Sequence, residues 1–361
     1  MDHLLHYIKK EVSYTSTSGT IYLDLPKDAK ISMLMIEARL TRGTTRDADM
    51  AILQAITKIH VLLDGAKIAY SMQPEVGSYD YLLRAGENPP HRLTTLKTDN
   101  EYMRLPILFG RYPYDLEYGL DTGLYGSAAV EIEYAPDATA YDETSLQLTA
   151  WIAVPMVPVS YRGFIRARII EDKAAPTAST VHTTDFPSTF PLLAAFVRIF
   201  DMDQWMKTNV TDLDFQADQG RYRIFDGRIE DLLTLNDTIL GHRIPSPQFI
   251  ATIQSADEAI TYMGEAYAGF VTFFESGTEN ISPASFSGHT INIICETAAI
   301  DTSCMYQVFG QGPFGCLLLG DWRKAPFDAP AHADLKCDYT IGSTTPEFLT
   351  TCVLEVVEGV L

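Results

Sequence analysis

Apolar and polar residues alternate one by one through most of this chain, which restricts it to sheets with one dry face and one wet face. In "TIYLDL", Ile21, Leu23 and Leu25 alternate with Tyr22 and Asp24; in "AVEIEYA", Val130, Ile132 and Tyr134 alternate with Glu131 and Glu133. In "SLQLTAWIAV", Leu146, Leu148, Ala150 and Ile152 share a face, and later Leu213, Phe215 and Ala217 oppose Asp212, Asp214 and Gln216. Frequent Gly, Pro and Asp breaks divide these runs into short antiparallel strands, the pattern of packed sandwiches. Helical pattern is confined to "SYDYLLRAG" (Ser78 to Gly86) and "RIEDLLTLND" (Arg228 to Asp237), each long enough for a few turns.

One hairpin occurs twice. "ITKIHVLLDGAKIAY" (Ile56 to Tyr70) and "VTDLDFQADQGRYRIF" (Val210 to Phe225) both open on a β-branched residue, Thr and a charged residue. Both turn on Asp and Gly: Asp64-Gly65 in the first, Asp218-Gln219-Gly220 in the second. Alternation puts Ile59, Val61 and Leu63 in the core of one copy and Leu213, Phe215 and Ala217 in the core of the other, with Ile68 and Tyr70 matching the neighbourhood of Ile224. A short helix follows each hairpin, then a long extended stretch: Leu105 to Ala135 in the first half, Tyr267 to Thr297 in the second. At roughly 150 residues per domain, 361 residues are enough for two. Between the halves, Val154 to Pro191 carries proline at 155, 158, 176, 187 and 191, which suits an extended connector better than a strand inside a sheet. The expected division is an N-terminal arm at 1–14, a first sandwich at 15–157, a linker at 158–184 and a second sandwich at 185–361.

The formal net charge of −20 repels phosphate, so direct nucleic-acid binding is not expected, nor is adsorption to anionic membranes. Five cysteines (Cys295, Cys304, Cys316, Cys337, Cys352) form no C-x-x-C pair, and "MDHLLHYIKK" has no signal-peptide core, so reduced thiols in a soluble protein are expected. Catalytic signatures are weak. "GQGPFG" spells G-x-G-x-x-G at Gly310, Gly312 and Gly315, but Pro313 and the short following run fit a sheet turn rather than a dinucleotide loop. Asp201, Asp203, Asp212, Asp214 and Asp218 read as a solvated acidic face rather than a calcium loop. The eight histidines show no metal-ligand spacing, and no G-x-S-x-G is present. Three N-x-[ST] triplets, at Asn209, Asn236 and Asn280, are read as chance. No catalytic residue, cofactor or metal ligand is assigned. The remaining candidate is a docking arm at the N-terminus: Leu4, Leu5, Ile8 and Val12 on one helical stripe, with Lys9 and Lys10 beside it.

"LPILFGRYPYDLEYGLDTGLYGSAAVEIEYA" (Leu105 to Ala135) resembles the late strands of a first jelly roll, and "FPLLAAFVRIFDMDQWMKTNVTDLDFQADQGRYRIFDGRIEDLL" the opening of a second. The family resembled is the double jelly-roll major capsid proteins of tailless icosahedral viruses, which spans internal-membrane bacteriophages, archaeal viruses and the adenovirus hexon lineage. The resemblance implies an all-β chain of two tandem eight-stranded antiparallel jelly-roll sandwiches with a few short helices in loops. It also implies a homotrimer forming a pseudo-hexameric capsomer, a place in the virion after synthesis in host cytoplasm, and no catalysis. Implied partners are other copies of the chain in the trimer and in neighbouring capsomers, minor capsid or penton proteins, and an internal membrane reached through the N-terminal arm. Two other readings stay open: a minor virion protein such as a spike, and a two-domain jelly-roll carbohydrate-binding protein or glycosidase. A sugar site would show a Trp platform, and only Trp151, Trp205 and Trp322 are available.

Overall fold

A computed structural model describes residues 3–43, 52–94, 98–201, 204–240, 249–253, 258–261, 265–273, 285–287, 290–293, 302–359 and 361, with 93–94 and 249–311 as backbone path. The first half supplies β1 (His3–Tyr14), β2 (Gly19–Asp24), β3 (Met33–Thr41), β4 (Ile56–Leu63) and β5 (Lys67–Met72). Helix α1 (Pro74–Ala85) follows, then β6 (Asn100–Leu108), β7 (Ala128–Tyr134) and β8 (Leu146–Pro155). The second half supplies β9 (Gly163–Ala174), β10 (Val181–Asp185), β11 (Leu192–Phe200), β12 (Val210–Ala217) and β13 (Tyr222–Arg228). Helix α2 (Ile229–Leu240) is followed by β14 (Cys316–Asp321), β15 (Leu335–Ile341) and β16 (Phe348–Glu358).

The halves have one topology. The first sandwich faces the sheet β1-β8-β3-β6 against β2-β7-β4-β5; the second faces β9-β16-β11-β14 against β10-β15-β12-β13. Adding eight to each label of the first gives the second, and this strand order is the eight-stranded jelly roll. Two of the irregularities are duplicated as well. Ile8 is skipped in the pairing of β1 with β8, as Ile170 is where β9 meets β16. Ala69 is skipped between β4 and β5, as Ile224 is between β12 and β13. Bulges at matching places are alignment marks that owe nothing to residue identity.

Each hairpin turn also carries the same clamp. Asp64 and Gly65 both have positive φ (52° and 74°), the left-handed backbone of the turn in which the Ala66 amide reaches the Leu63 carbonyl. The Asp64 carboxylate accepts the Gly126 amide at 2.7 Å, tying the turn to the chain just before β7. In the second copy Asp218 accepts the Ala333 amide at 2.8 Å just before β15 and also meets His332 Nδ1 at 2.8 Å. These bonds hold both carboxyls below their ordinary range; the leading cause is the Gly126 amide at Asp64 and His332 at Asp218.

The expected core residues are buried: Ile59, Val61 and Leu63 at 0%, and Leu213, Phe215 and Ala217 at no more than 1%. Across the turns, Tyr70 is buried whereas Ile68, Ile224 and Phe225 are half-buried. Both expected helices form, and α1 stops at Gly86, whose left-handed backbone lets its amide reach the Leu82 carbonyl.

Three expectations are corrected. Residues 3–14 are not a helical arm but strand β1, antiparallel to β8, because pairing to an open sheet edge satisfies more backbone than a short terminal helix can. The proline-rich connector contains β9 and β10; its prolines end strands or lie between them, as Pro155 ends β8 and Pro187 and Pro191 lie between β10 and β11. The second roll therefore opens at Gly163, ahead of the stretch quoted above. Last, Tyr267 to Thr297 does not correspond to Leu105 to Ala135. Residues 249–311 hold extra strands between α2 and β14, and the counterparts of β6 and β7 are β14 and β15. Strand alternation reports a face, not a sheet, so an inserted strand looks like a core one.

Val61→Asp and Phe215→Asp place an unpaired carboxylate in the two cores and should each cost several kcal/mol, a large share of the roughly 5–15 kcal/mol that holds a typical domain. Lys58→Asp, at a site 43% exposed beside Glu133, should cost no more than about 1 kcal/mol. Urea midpoints measure both.

Candidate functional site

The two rolls meet edge to edge. β5 of the first lies parallel to β9 of the second, with Tyr70 opposite Ala167 and Ser71 opposite Arg168, so β2-β7-β4-β5 and β9-β16-β11-β14 form one eight-stranded sheet. Charged residues secure this seam. Arg166 and Arg168, two apart and therefore on one face of β9, both donate to Glu355 of β16, at 2.7 Å and 2.9 Å. Arg198 on β11 reaches across to Glu75 at 3.3 Å, with both side chains at most 5% exposed, and to Gln73 Oε1 at 3.2 Å. Burial pushes the Glu75 carboxyl up, and Arg198 opposes that shift. Gln73 in turn donates to Asp172 of β9 at 3.1 Å.

Helix α1 is buried from Pro74 through Arg84 although it carries Glu75, Asp80 and Arg84. Each charge has a partner. Arg84 donates to Asp80 at 2.7 Å and to the carbonyls of Leu108 and Gly110 at 2.9 Å and 2.7 Å. The Tyr79 ring packs on Phe196 of β11 at 5.2 Å between centroids, and its hydroxyl donates to Asn236 Oδ1 at 3.2 Å. Asn236 also donates to the Leu318 carbonyl at 3.0 Å and accepts the Leu318 amide at 2.6 Å, joining α1, α2 and β14. His91 meets Ser78 Oγ at 2.9 Å through Nε2 and accepts the Arg104 amide at 3.1 Å through Nδ1. Burial, with the Arg104 charge second, pushes its pKa down to about 3.

The sequence candidates are not gathered into a catalytic centre. Leu4, Leu5, Lys9 and Lys10 are exposed on β1, Ile8 and Val12 are half-buried, and all six lie along the sheet's outer edge. Gly312 and Gly315, both with positive φ, form a turn before β14 that no helix follows, so "GQGPFG" is a sheet turn. Asp212 and Asp214 point to the wet face of β12, Asp218 is the turn clamp, and Asp203 lies outside the described residues. Asn209 and Asn236 are buried at 0% and 2%, which removes them as glycan acceptors; Asn280 lies outside the described residues. Cys316, Cys337 and Cys352 are free and buried, while Cys295 and the side chain of Cys304 fall outside the described residues. Trp322 is stacked on Phe327 at 4.9 Å, and Trp151 is half-buried in β8.

Two clefts flank the seam. One, of about 480 Å³, is lined by Arg111, Tyr118, Arg162, Phe190, Arg323 and Glu358. Its arginines are matched: Arg111 with Asp115 at 3.0 Å, Arg162 with Glu117 at 2.8 Å and with Glu358 at 2.7 Å, and Arg323 with Asp321 at 2.6 Å. The other, of about 400 Å³, lies over Gln73, Glu75, Arg198 and Phe200. Among the described residues no group of His, Cys, Asp and Glu is arranged to hold a metal ion, and no helix is long and apolar enough to cross a membrane.

No protein-family model matches the chain, and no curated protein matches it by sequence. Its fold does have counterparts. The crystal structure of the major capsid protein of Sulfolobus turreted icosahedral virus superposes with a TM-score of 0.60 at 10% identity, over 99% of this chain and 97% of that one. The atomic structure of the same virus gives 0.53 at 10% identity, over 99% and 92%. The fold is the double jelly roll. The major capsid protein P2 of bacteriophage PM2 gives a TM-score of 0.49 at 11% identity, over 99% and 98%. In this double jelly roll the charged residues of the seam went unassigned from sequence. A signal existed in "RARIIED", whose Arg166 and Arg168 share a strand face, but only once residues 163–174 are read as a strand.

Arg198→Ala leaves Glu75 buried without its cation and should cost about 3–5 kcal/mol, much of it recovered by adding Glu75→Gln. Denaturant unfolding of the single and double variants measures it. The depressed His91 pKa adds an acid sensitivity. Below its ordinary value near 6.5 the unfolded chain takes up a proton that the fold refuses, so stability is full above pH 6.5 and falls as pH drops toward 3. By pH 5 the loss should reach about 2 kcal/mol. His91→Gln should flatten this part of the Tm-against-pH curve.

Proposed function

We propose that this chain is a major capsid protein, and that three copies form a pseudo-hexameric capsomer of an icosahedral shell. The observation that carries the reading is the duplication itself: one eight-strand order built twice, with two bulges and the turn clamp in common. A hexagonal lattice position needs six similar wedges, and a duplicated roll supplies six from three chains. The fold shared with viral major capsid proteins supports the same reading. The proposed role is structural, in keeping with the fold shared with viral major capsid proteins.

The partners are then copies of the chain, first within the trimer and then in neighbouring capsomers, with minor capsid or penton proteins at the shell's special positions. At −20 per chain the shell does not neutralise a packaged genome, so lipid, basic proteins or counterions separate the two. The chain is made in host cytoplasm and resides in the virion. Because residues 3–14 are a strand, the N-terminus is directed toward a protein neighbour more than toward an internal membrane.

Light scattering on the purified protein should give about three times the 40.2 kDa chain mass. A stable monomer at micromolar concentration would overturn the capsomer and favour a carbohydrate-binding or enzymatic role.

A further inference from the structure

Each roll has a first strand and a fifth strand at sheet edges, and inside the chain one such pair is joined: β5 of the first roll to β9 of the second. The complementary pair is open. Among the described residues β1, equivalent to β9, and β13, equivalent to β5, each have a strand on one side only. Some of the exposed apolar side chains lie on those edges, as others do on β2 and β10. Leu4, Leu5 and Tyr7 are 58%, 48% and 55% exposed along β1, and Tyr222 is 58% exposed on β13. The helices give an independent sign. α1, packed at the seam, is buried all round, whereas its equivalent α2 leaves Leu235 and Ile239 exposed.

The duplicated bulges fix which residues correspond. Ile8 matches Ile170, so Leu5 and His6 stand where β9 has Ala167 and Arg168. Ile224 matches Ala69, so Phe225 and Asp226 stand where β5 has Tyr70 and Ser71. Resting on the capsomer reading, we propose that β13 of one copy lies parallel beside β1 of the next, with Phe225 opposite Leu5 and Asp226 opposite His6. The seam within the chain is thereby repeated between chains. The occupant is a second copy because the molecule already contains the contact in covalent form. An aromatic then meets a leucine and a carboxylate meets an imidazole, and β1 runs on through Lys9 and Lys10 toward Glu230 and Asp231 in the first turn of α2. The contact is head-to-tail, using one edge of each kind per chain, so it closes into a ring when its rotation divides the circle. The buried Arg198–Glu75 pair is not repeated. Glu37 and Glu230 hold the corresponding positions, each with its own cation, Arg104 and Lys207. The seam between chains thus relies on strand pairing and apolar cover, and is the weaker of the two.

The test joins the edges covalently in the full chain. Cysteines at His6 and Asp226 (H6C with D226C), or at Leu5 and Phe225 (L5C with F225C), should give disulfide-linked trimers under mild oxidation, whereas each single variant and the parent chain stay unlinked. Leu5→Asp, on a side chain exposed in the single chain, should shift the trimer toward monomer while the far-ultraviolet spectrum keeps its sheet signature. A trimer by light scattering that neither cysteine pair links, and that Leu5→Asp leaves intact, overturns this seam and leaves the capsomer standing. A monomeric parent chain overturns both.

Discussion

A four-stranded sheet has two open edges, and an open edge is a row of unpaired amides and carbonyls that must be covered, blunted or used. This chain uses one of them on itself. The parallel contact of β5 with β9 turns two small sheets into one of eight strands, and several buried charges lie around it: Glu355 between two arginines, Glu75 with Arg198, Asp80 with Arg84. Such pairs are poor sources of net stability, because desolvation consumes much of their attraction. Their value is angular. Arg198, Glu75 and Gln73 meet across the seam, where the two sandwiches also share one apolar core cluster, so these contacts together set the wedge angle between them.

Much of the fold was legible in the residues. Alternation gave the dry faces of the hairpins because a strand's period is short and locally enforced; Val61 and Phe215 required no knowledge of the partner sheet. The Asp-Gly turns declared themselves for the same reason. What alternation does not encode is which strand lies next to which. The extra strands at 249–311 read like core strands, and β9 was hidden behind prolines that in fact only punctuate the chain on either side of it. The N-terminal residues failed differently. Leu4, Leu5, Ile8 and Val12 fit a helical stripe by spacing, and only the open edge of β8, contributed from residues 146–155, makes a strand the better home.

The candidate site was the least legible part. Glu75, Arg198 and Arg168 are functional through their mates, and those mates are more than a hundred residues away in the chain. Asn236, whose N-x-[ST] triplet is a chance occurrence, is by its surroundings a three-way brace between helices and sheet. An amide whose four hydrogen-bonding valences are largely used inside the core has none to offer outside it.

The strands between α2 and β14 exist in one roll only. A tile with six equal sides can be set down in six orientations, and neighbours matched by side alone have no means of telling them apart. In the proposed capsomer, features carried by every second wedge reduce six to three, so its tile would have a heading. A shell assembled from such tiles can impose rules about which way each one faces, and defects of orientation become distinguishable from correct placement before the sheet of tiles closes.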